Sequence, residues 1–320
     1  MRDTPTGAGV CEFAPQNLSD LVKAAGAAEG GTRFPSGSVR YRRSTDSQHP
    51  VTPLLYTARM SLSGVFKELH QREQVLLMPN PWDAGSAKIM ESLGFLALAT
   101  TSSGSAAARG QRDGGLSRDT VLHAAAEIVA AVNVPVSADL ENAFAEDTSG
   151  VAETFRLAAD TGLAGASIED WDGAALYDPA RATERVHAAV EAAAGQLVVT
   201  ARAENHIRGI DDLQDTVSRL RAYADAGADV VFAPGIATAE QIKTVVENVD
   251  VPVSVLAVPG VPPVPELREL GVRRVSTGSS WAWVAYTAMA EAGRELLDNG
   301  TFGYLDTAAR DQATIDQALR

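Results

Sequence analysis

The sequence predicts a closed (β/α)₈ barrel in one large domain, and three observations carry that expectation. Short apolar runs alternate with amphipathic stretches eight times from Val75 onward. The runs are almost continuously apolar, which suits parallel strands covered on both faces. No G-x-G-x-x-G follows the first run, so the usual mark of an open doubly wound sheet is missing.

Residues 1–59 differ from everything after them: rich in Gly, Pro, Ser and Thr, with a basic cluster at Arg40, Arg42 and Arg43 and little periodicity. They read as a poorly ordered extension with at most a short helix near Leu18–Ala28. Met60 directly precedes Ser61–His70, which reads as the first helix of the catalytic barrel, set at 60–300. Strands are expected over Val75–Pro79, Leu96–Thr100, Val134–Glu141, Ala164–Asp170, Leu197–Glu204, Val230–Pro234, Val253–Val258 and Arg274–Gly278. Helices are expected over Asp119–Val132, Thr148–Thr161, Pro179–Ala194, Asp211–Ala226, Thr238–Glu247 and Trp281–Leu297. Gly94, Gly162, Gly227 and Gly271 stand where helices should end. Residues 301–320 read as a C-terminal helical tail.

A formal net charge of −14 argues against nucleic acid or an anionic membrane as partner, because phosphate binding rests on Lys and Arg. Cys11 is the only cysteine, which excludes disulfides within the chain and thiolate metal sites. No apolar run approaches the roughly 18 residues of a membrane span, and the start lacks a charged segment followed by an apolar one. A cytoplasmic protein is expected.

In such barrels the active site lies at the carboxyl ends of the strands. The polar residues there are Asn80 and Asp83; Thr100 to Ser105; Asp139 and Glu141; Glu169 and Asp170; Arg202 and Glu204; Ser276, Thr277 and Ser279. Asp139 and Glu141 are two apart on an expected strand, so both should point into the mouth, and Glu169 holds the corresponding position on the next strand. Converging carboxylates with no thiolate or imidazole suit a hard cation, Mg²⁺ with Mn²⁺ as a substitute. The four lysines, Lys23, Lys67, Lys88 and Lys243, all miss the strand ends, which excludes Schiff-base chemistry. Metal-assisted polarisation of a carbonyl remains, with Arg202 placed to grip a substrate carboxylate or phosphonate.

At these residues the chain resembles the isocitrate lyase/phosphoenolpyruvate mutase superfamily from about Phe66 to Leu297. The segments that carry the likeness are Asn80-Pro-Trp-Asp83, Thr100-Thr-Ser-Ser-Gly104, Gln111-Arg-Asp113, Ser137-Ala-Asp-Leu-Glu-Asn-Ala-Phe144, Ser167-Ile-Glu-Asp170 and Thr200-Ala-Arg-Ala-Glu204. Val230-Val-Phe-Ala-Pro-Gly235 and Gly271-Val-Arg-Arg-Val-Ser-Thr-Gly278 add to it. The resemblance implies Asp139 as direct Mg²⁺ ligand, with Glu141, Glu169 and Asp113 acting largely through waters. It implies that Thr101, Ser102 and Ser103 offer amides and hydroxyls to one acid end of the substrate while Arg202 holds the other. Asn80 and Glu204 complete the expected substrate-binding set. It further implies a metal-stabilised enolate, and a homo-oligomer, dimer or tetramer, whose subunits exchange the last barrel helix.

The departures from the superfamily narrow the chemistry. Its lyases carry a Lys-Arg-Cys-Gly-His segment after the fourth strand, where this chain has the shorter Trp171-Asp-Gly-Ala-Ala-Leu-Tyr-Asp178. Its phosphonate enzymes follow Glu-Asp with a lysine, and here Trp171 stands in that place. Glu141 replaces the usual second aspartate, and the Ser-Gly-Gly loop of the lyases becomes Thr101-Ser102-Ser103. Tyr177 and His206 are the remaining candidates for proton transfer. The leading expectation is a Mg²⁺-dependent lyase acting on the C–C bond of a small 2-oxo or 2-hydroxy dicarboxylate. Carbon–phosphorus mutase or hydrolase chemistry ranks second, and a non-catalytic metabolite-binding barrel third.

Overall fold

The computed structural model describes residues 61–320. The expected extension over 1–59, with its short helix, lies outside them. Eight strands alternate with helices in the predicted order: α1 (Leu62–His70), β1 (Leu76–Met78), α2 (Ala84–Ser92), β2 (Leu98–Ala99), α3 (Ser102–Ala108), α4 (Arg118–Ala131), β3 (Val136–Asp139), α5 (Thr148–Asp160) and β4 (Gly165–Glu169). There follow α6 (Pro179–Ala193), β5 (Val198–Arg202), α7 (Leu213–Asp225), β6 (Val230–Phe232), α8 (Ala239–Glu247), β7 (Val253–Leu256), α9 (Val264–Glu269), β8 (Arg274–Ser276) and α10 (Ser280–Asn299). Two short helices end the chain, α11 (Tyr304–Arg310) and α12 (Gln312–Ala318). Short side chains before the helices start them: Ser61, Asp83, Asp147 and Thr238 each accept a backbone N–H from the first turn. Gly162 and Gly227, placed as helix stops, have φ of 84° and 99°, which L side chains rarely adopt.

All eight strands are parallel, and each pairs with its neighbour in the order β1-β8-β7-β6-β5-β4-β3-β2. The seam between β1 and β2 is closed by single bonds rather than a ladder: Ala99 N–H donates to the Pro79 carbonyl at 3.2 Å, and Asn80 Nδ2 donates to the Thr100 carbonyl at 3.0 Å. The other end of the Asn80 amide accepts from the backbone of Thr277 and Gly278 on the β8 side, at 3.0 and 2.9 Å. One buried amide therefore ties three strand ends together where the ring is weakest.

Below the mouth, α1 plugs the amino-terminal end of the barrel. Phe66 and Leu69 are buried against Leu76, Ala97, Ala164, Val198 and Val230, the first residues of five strands or just before them. Gly165 is required there, because a Cβ would stand 2.7 Å from the Phe66 ring. The interior above the plug is unusual. Arg274 of β8 crosses it, donating to Ser254 on β7 at 2.9 Å and to Thr200 on β5 at 3.1 Å. Burial, and then the charge of Arg202, push this guanidinium down to about 10, and hydroxyls rather than a carboxylate receive it.

His70, at the end of α1, shows what this buried charge does to a neighbour. Its Nδ1 donates to the Phe66 carbonyl at 2.8 Å, and burial followed by the Arg274 charge lowers its pKa to about 3. The native ring stays neutral while the unfolded chain, with a pKa of about 6.5, takes up a proton. The folded pKa is the lower one, so the contribution is full above about pH 6.5 and is lost as pH falls, by about 1.4 kcal/mol per unit. His70→Gln is therefore expected to flatten the loss of stability between about pH 6.5 and 4, read from urea midpoints. Parallel pH profiles for the two proteins would disprove it.

Candidate active site

The pairing of β4 with β5 sets Glu169 directly beside Arg202, and the Arg202 side chain organises the mouth. Its Nη1 donates to Asp139 at 2.9 Å, its Nη2 lies 2.7 Å from Glu204 and 3.2 Å from Glu169, and its Nε donates to Glu204 at 3.1 Å. Burial by itself pulls this guanidinium's pKa down. The carboxylates of Glu204, Glu169 and Asp139 outweigh burial and hold it protonated. Arg208, one turn beyond Glu204, adds a second cation: Nη2 lies 2.9 Å from Glu204 and 3.4 Å from Glu169. Its guanidinium stands 4.8 Å from the centre of the Trp171 ring.

Asp113 and Glu141 lie near enough to Asp139 to feel its charge. Burial raises the Asp113 carboxyl, opposed by its hydrogen bond from Ser102 and reinforced by the charge of Asp139. Glu141 is pushed up to about 8 by burial and then by Asp139 and Asp113. Burial and the charge of Glu204 raise Glu169 as well. Among the described residues no group of three or more His, Cys, Asp or Glu side chains converges as a ready-made metal site.

One sequence expectation is corrected here. Glu141 was set on the third strand with Asp139, but β3 ends at Asp139 and Glu141 has a φ of 49°. The chain turns left-handed at Glu141, Ala143 and Phe144, with φ of 49°, 61° and 54°, so alternation along a strand does not apply there. What holds this turn is Arg185 of α6, which is buried. It donates to the carbonyls of Asn142, Ala145 and Glu146, at 2.5, 2.9 and 2.9 Å. Thr154 adds a bond to the Ala143 carbonyl at 2.8 Å.

Other expected site residues have definite places. Ser102 N–H donates to Asp139 Oδ2 at 3.3 Å, and Thr101 is the N-cap of α3, with Ser103 in its first turn. Asp83 is likewise an N-cap, of α2. Asn80 is the seam amide described above. Tyr177 is buried beneath two guanidinium groups, Arg185 at 4.3 Å and Arg181 at 5.0 Å from its ring centre, and lines an open cavity of about 850 Å³ with Asn142, Phe144 and Asp172. His206 is nearly buried, its Nδ1 is 3.5 Å from Asp211, and burial lowers its pKa, so the ring is neutral at pH 7. Neither Tyr177 nor His206 touches the Arg202 cluster. Arg185 and Arg208 were missed by sequence reasoning. Arg185 had a signal, since it falls on the buried stripe of α6 with Ala182, Val186 and Ala189.

Asp170, next to Glu169, fixes this arrangement from behind. Its carboxylate accepts from Glu204 N–H at 2.8 Å, Tyr223 Oη at 2.6 Å and Arg219 Nη1 at 3.1 Å. Arg219 also donates to the Tyr177 carbonyl, so one ion pair locks the loops after β4 and β5 together.

An eight-stranded parallel barrel with acidic and arginine side chains at its carboxyl mouth is the architecture of the isocitrate lyase/phosphoenolpyruvate mutase superfamily. The chain belongs to that superfamily: the phosphoenolpyruvate phosphomutase family model matches residues 66–297. The crystal structure of a Burkholderia cenocepacia protein, provisionally classed as a lyase or mutase, is 44% identical with a TM-score of 0.76, over 80% of this chain and 94% of that one. The 2,3-dimethylmalate lyase of Eubacterium barkeri is 28% identical over 78% of this chain and 91% of its own length. The 2-methylisocitrate lyase of Halalkalibacterium halodurans is 29% identical over 61% of this chain and 67% of its own. Both of these named relatives are lyases of the superfamily.

Removing Asp170 would leave Arg219 buried without part of its charge partner and Tyr223 without an acceptor. Asp170→Ala is expected to lower stability by about 3 kcal/mol, as for other broken buried ion pairs. Chemical denaturation measures this, and a loss below about 1 kcal/mol would show that the network is not needed.

Proposed function

We propose that this chain is a Mg²⁺-dependent lyase that cleaves the C–C bond of a small 2-oxo or 2-hydroxy dicarboxylate. The observation that carries this reading is the group of carboxylates around Arg202, with Asp113 and Glu141 beside it. Asp113, Asp139, Glu141 and Glu169 offer only hard oxygen donors, which fits a hard divalent cation. Asp139, the residue that perturbs both Asp113 and Glu141, is the direct ligand in this reading, and the other three act through water. Bound there, Mg²⁺ would supply positive charge to an enolate as the C–C bond breaks. Mn²⁺ offers the same chemistry.

The chain's own residues then have distinct tasks. Ser102, with its N–H already turned to the mouth, and its neighbours Thr101 and Ser103 orient one acid end of the substrate. Arg202, the expected holder of the other acid end, is engaged with Asp139, Glu169 and Glu204 and offsets part of their negative charge. Asn80 holds the strand ends in register beneath them. His206 and Tyr177 carry proton-transfer chemistry by type, but both stand apart from the Arg202 cluster, so a proton role would require the substrate to reach beyond it. A lysine after Glu169-Asp170 would favour carbon–phosphorus chemistry. Trp171 takes that place, and the named lyases among the relatives agree with C–C cleavage.

We also read the enzyme as a cytoplasmic homo-oligomer, dimer or tetramer, that exchanges α10. Of the 20 residues of α10 only Ala282 is buried, while Val284, Met289 and Leu297 are 68, 67 and 86% exposed. An apolar helix so bare suits a partner subunit's surface. Among the described residues no helix is long and apolar enough to cross a membrane.

The activity test is Mg²⁺-dependent release of pyruvate or a glyoxylate-type product from a panel of oxo and hydroxy diacids. Asp139→Ala is expected to abolish Mg²⁺-linked binding of oxalate in calorimetry. Unchanged oxalate affinity in that variant would overturn the site.

A further inference from the structure

Arg202 is the obvious cation for a substrate acid group, yet it is closely engaged. Its Nε, Nη1 and Nη2 all reach carboxylates of the protein, and its side chain is only 14% exposed. Arg208 differs on each count. It is 32% exposed and pairs only through Nη2, with Glu204 and Glu169. Among the described residues no hydrogen bond runs from its Nε or Nη1 to a side chain or backbone acceptor.

The place of Arg208 is fixed as well as open. Its guanidinium carbon lies over the Trp171 ring, 4.8 Å from the ring centre, and a cation held against an aromatic face keeps N–H groups available to an acceptor. The platform beneath is a short closed turn. Trp171 bridges to Leu176, and Asp172 accepts from the N–H groups of Ala174 and Ala175, each at 2.7 Å. The charge of Arg208 is also felt across the mouth, where it opposes the raised carboxyls of Asp113 and Glu141. Arg208 thus stands beside the proposed metal ligands, with Glu169 3.4 Å from its Nη2.

We infer that Arg208, seated on Trp171, is the specificity-determining residue that grips the second carboxylate of a small diacid. The inference rests on the lyase reading of this mouth and adds to it the group that separates diacids from monoacids. A monoacid of the same length leaves those N–H groups to water, whereas a diacid exchanges water for a charge-assisted hydrogen bond.

The test compares binding of malate and of lactate to the whole chain with Mg²⁺, by calorimetry. Both are small 2-hydroxy acids, but only malate carries a second carboxylate. The wild type is expected to prefer malate. Arg208→Gln should reduce the malate-to-lactate affinity ratio roughly tenfold to a hundredfold, the usual worth of a hydrogen bond to a charged group. Arg208→Lys should recover part of the ratio, and Trp171→Leu should lower it by less. Weakening of malate and lactate alike, with the ratio intact, would mean that Arg208 only holds Glu169 and Glu204, and would overturn the assignment. A wild type that binds neither these acids nor oxalate with Mg²⁺ would overturn the lyase reading and this inference with it. Oxalate binding with an unchanged ratio in Arg208→Gln would overturn the inference alone.

Discussion

Acidic side chains from several strand ends share one small mouth, and like charges held that close repel unless something stands between them. Arg202 is that something. Its planar fork reaches Asp139, Glu169 and Glu204 at once, which an ammonium on a flexible stem could not do. The register of β4 against β5 delivers Glu169 to its side, and Asp170 pins the Glu204 backbone from behind. Arg202 makes no ion pair with Asp113 or Glu141, and their carboxyls, like that of Glu169, are raised first by burial. Arg202 thus offsets part of the negative charge gathered at the mouth.

Much of this was legible in the residues. The alternation of apolar runs with amphipathic stretches placed all eight strands, because a parallel strand covered on both faces leaves a local mark. The carboxylates at the strand ends were legible for a related reason, since charge is out of place at the end of an apolar run. Glu141 shows the limit. Alternation assumes extended backbone, and nothing in Asp139-Leu-Glu-Asn announces a left-handed turn that depends on Arg185 some 40 residues later. Arg208 was hidden for the same reason: its partners come from β4 and from the loop after β5, which only the closed barrel brings together. Helix α3 was not foreseen, α2 and α9 were marked only by the glycines that follow them, Gly94 and Gly271, and Thr101 and Asp83 proved to cap α3 and α2.

The interior shows a second compromise. Barrels of this kind are usually filled with layers of branched aliphatic side chains. This one carries Arg274 across its middle on two hydroxyls, above an aromatic and aliphatic plug from α1. Burial and the charge of Arg202 above it both weaken the hold of Arg274 on its proton. The neutral His70 below is the other side of the same field.

The left-handed turn after β3 has a consequence for how far this enzyme can be made sturdier. Each of Glu141, Ala143 and Phe144 sits in a conformation about 1 kcal/mol or more above its ordinary one. Glycine at Ala143 would relieve part of that tension and add freedom to the turn that presents Glu141. Thermostability and precision of the mouth therefore pull against each other at this loop, and selection for heat resistance alone would drift toward a looser, less selective protein.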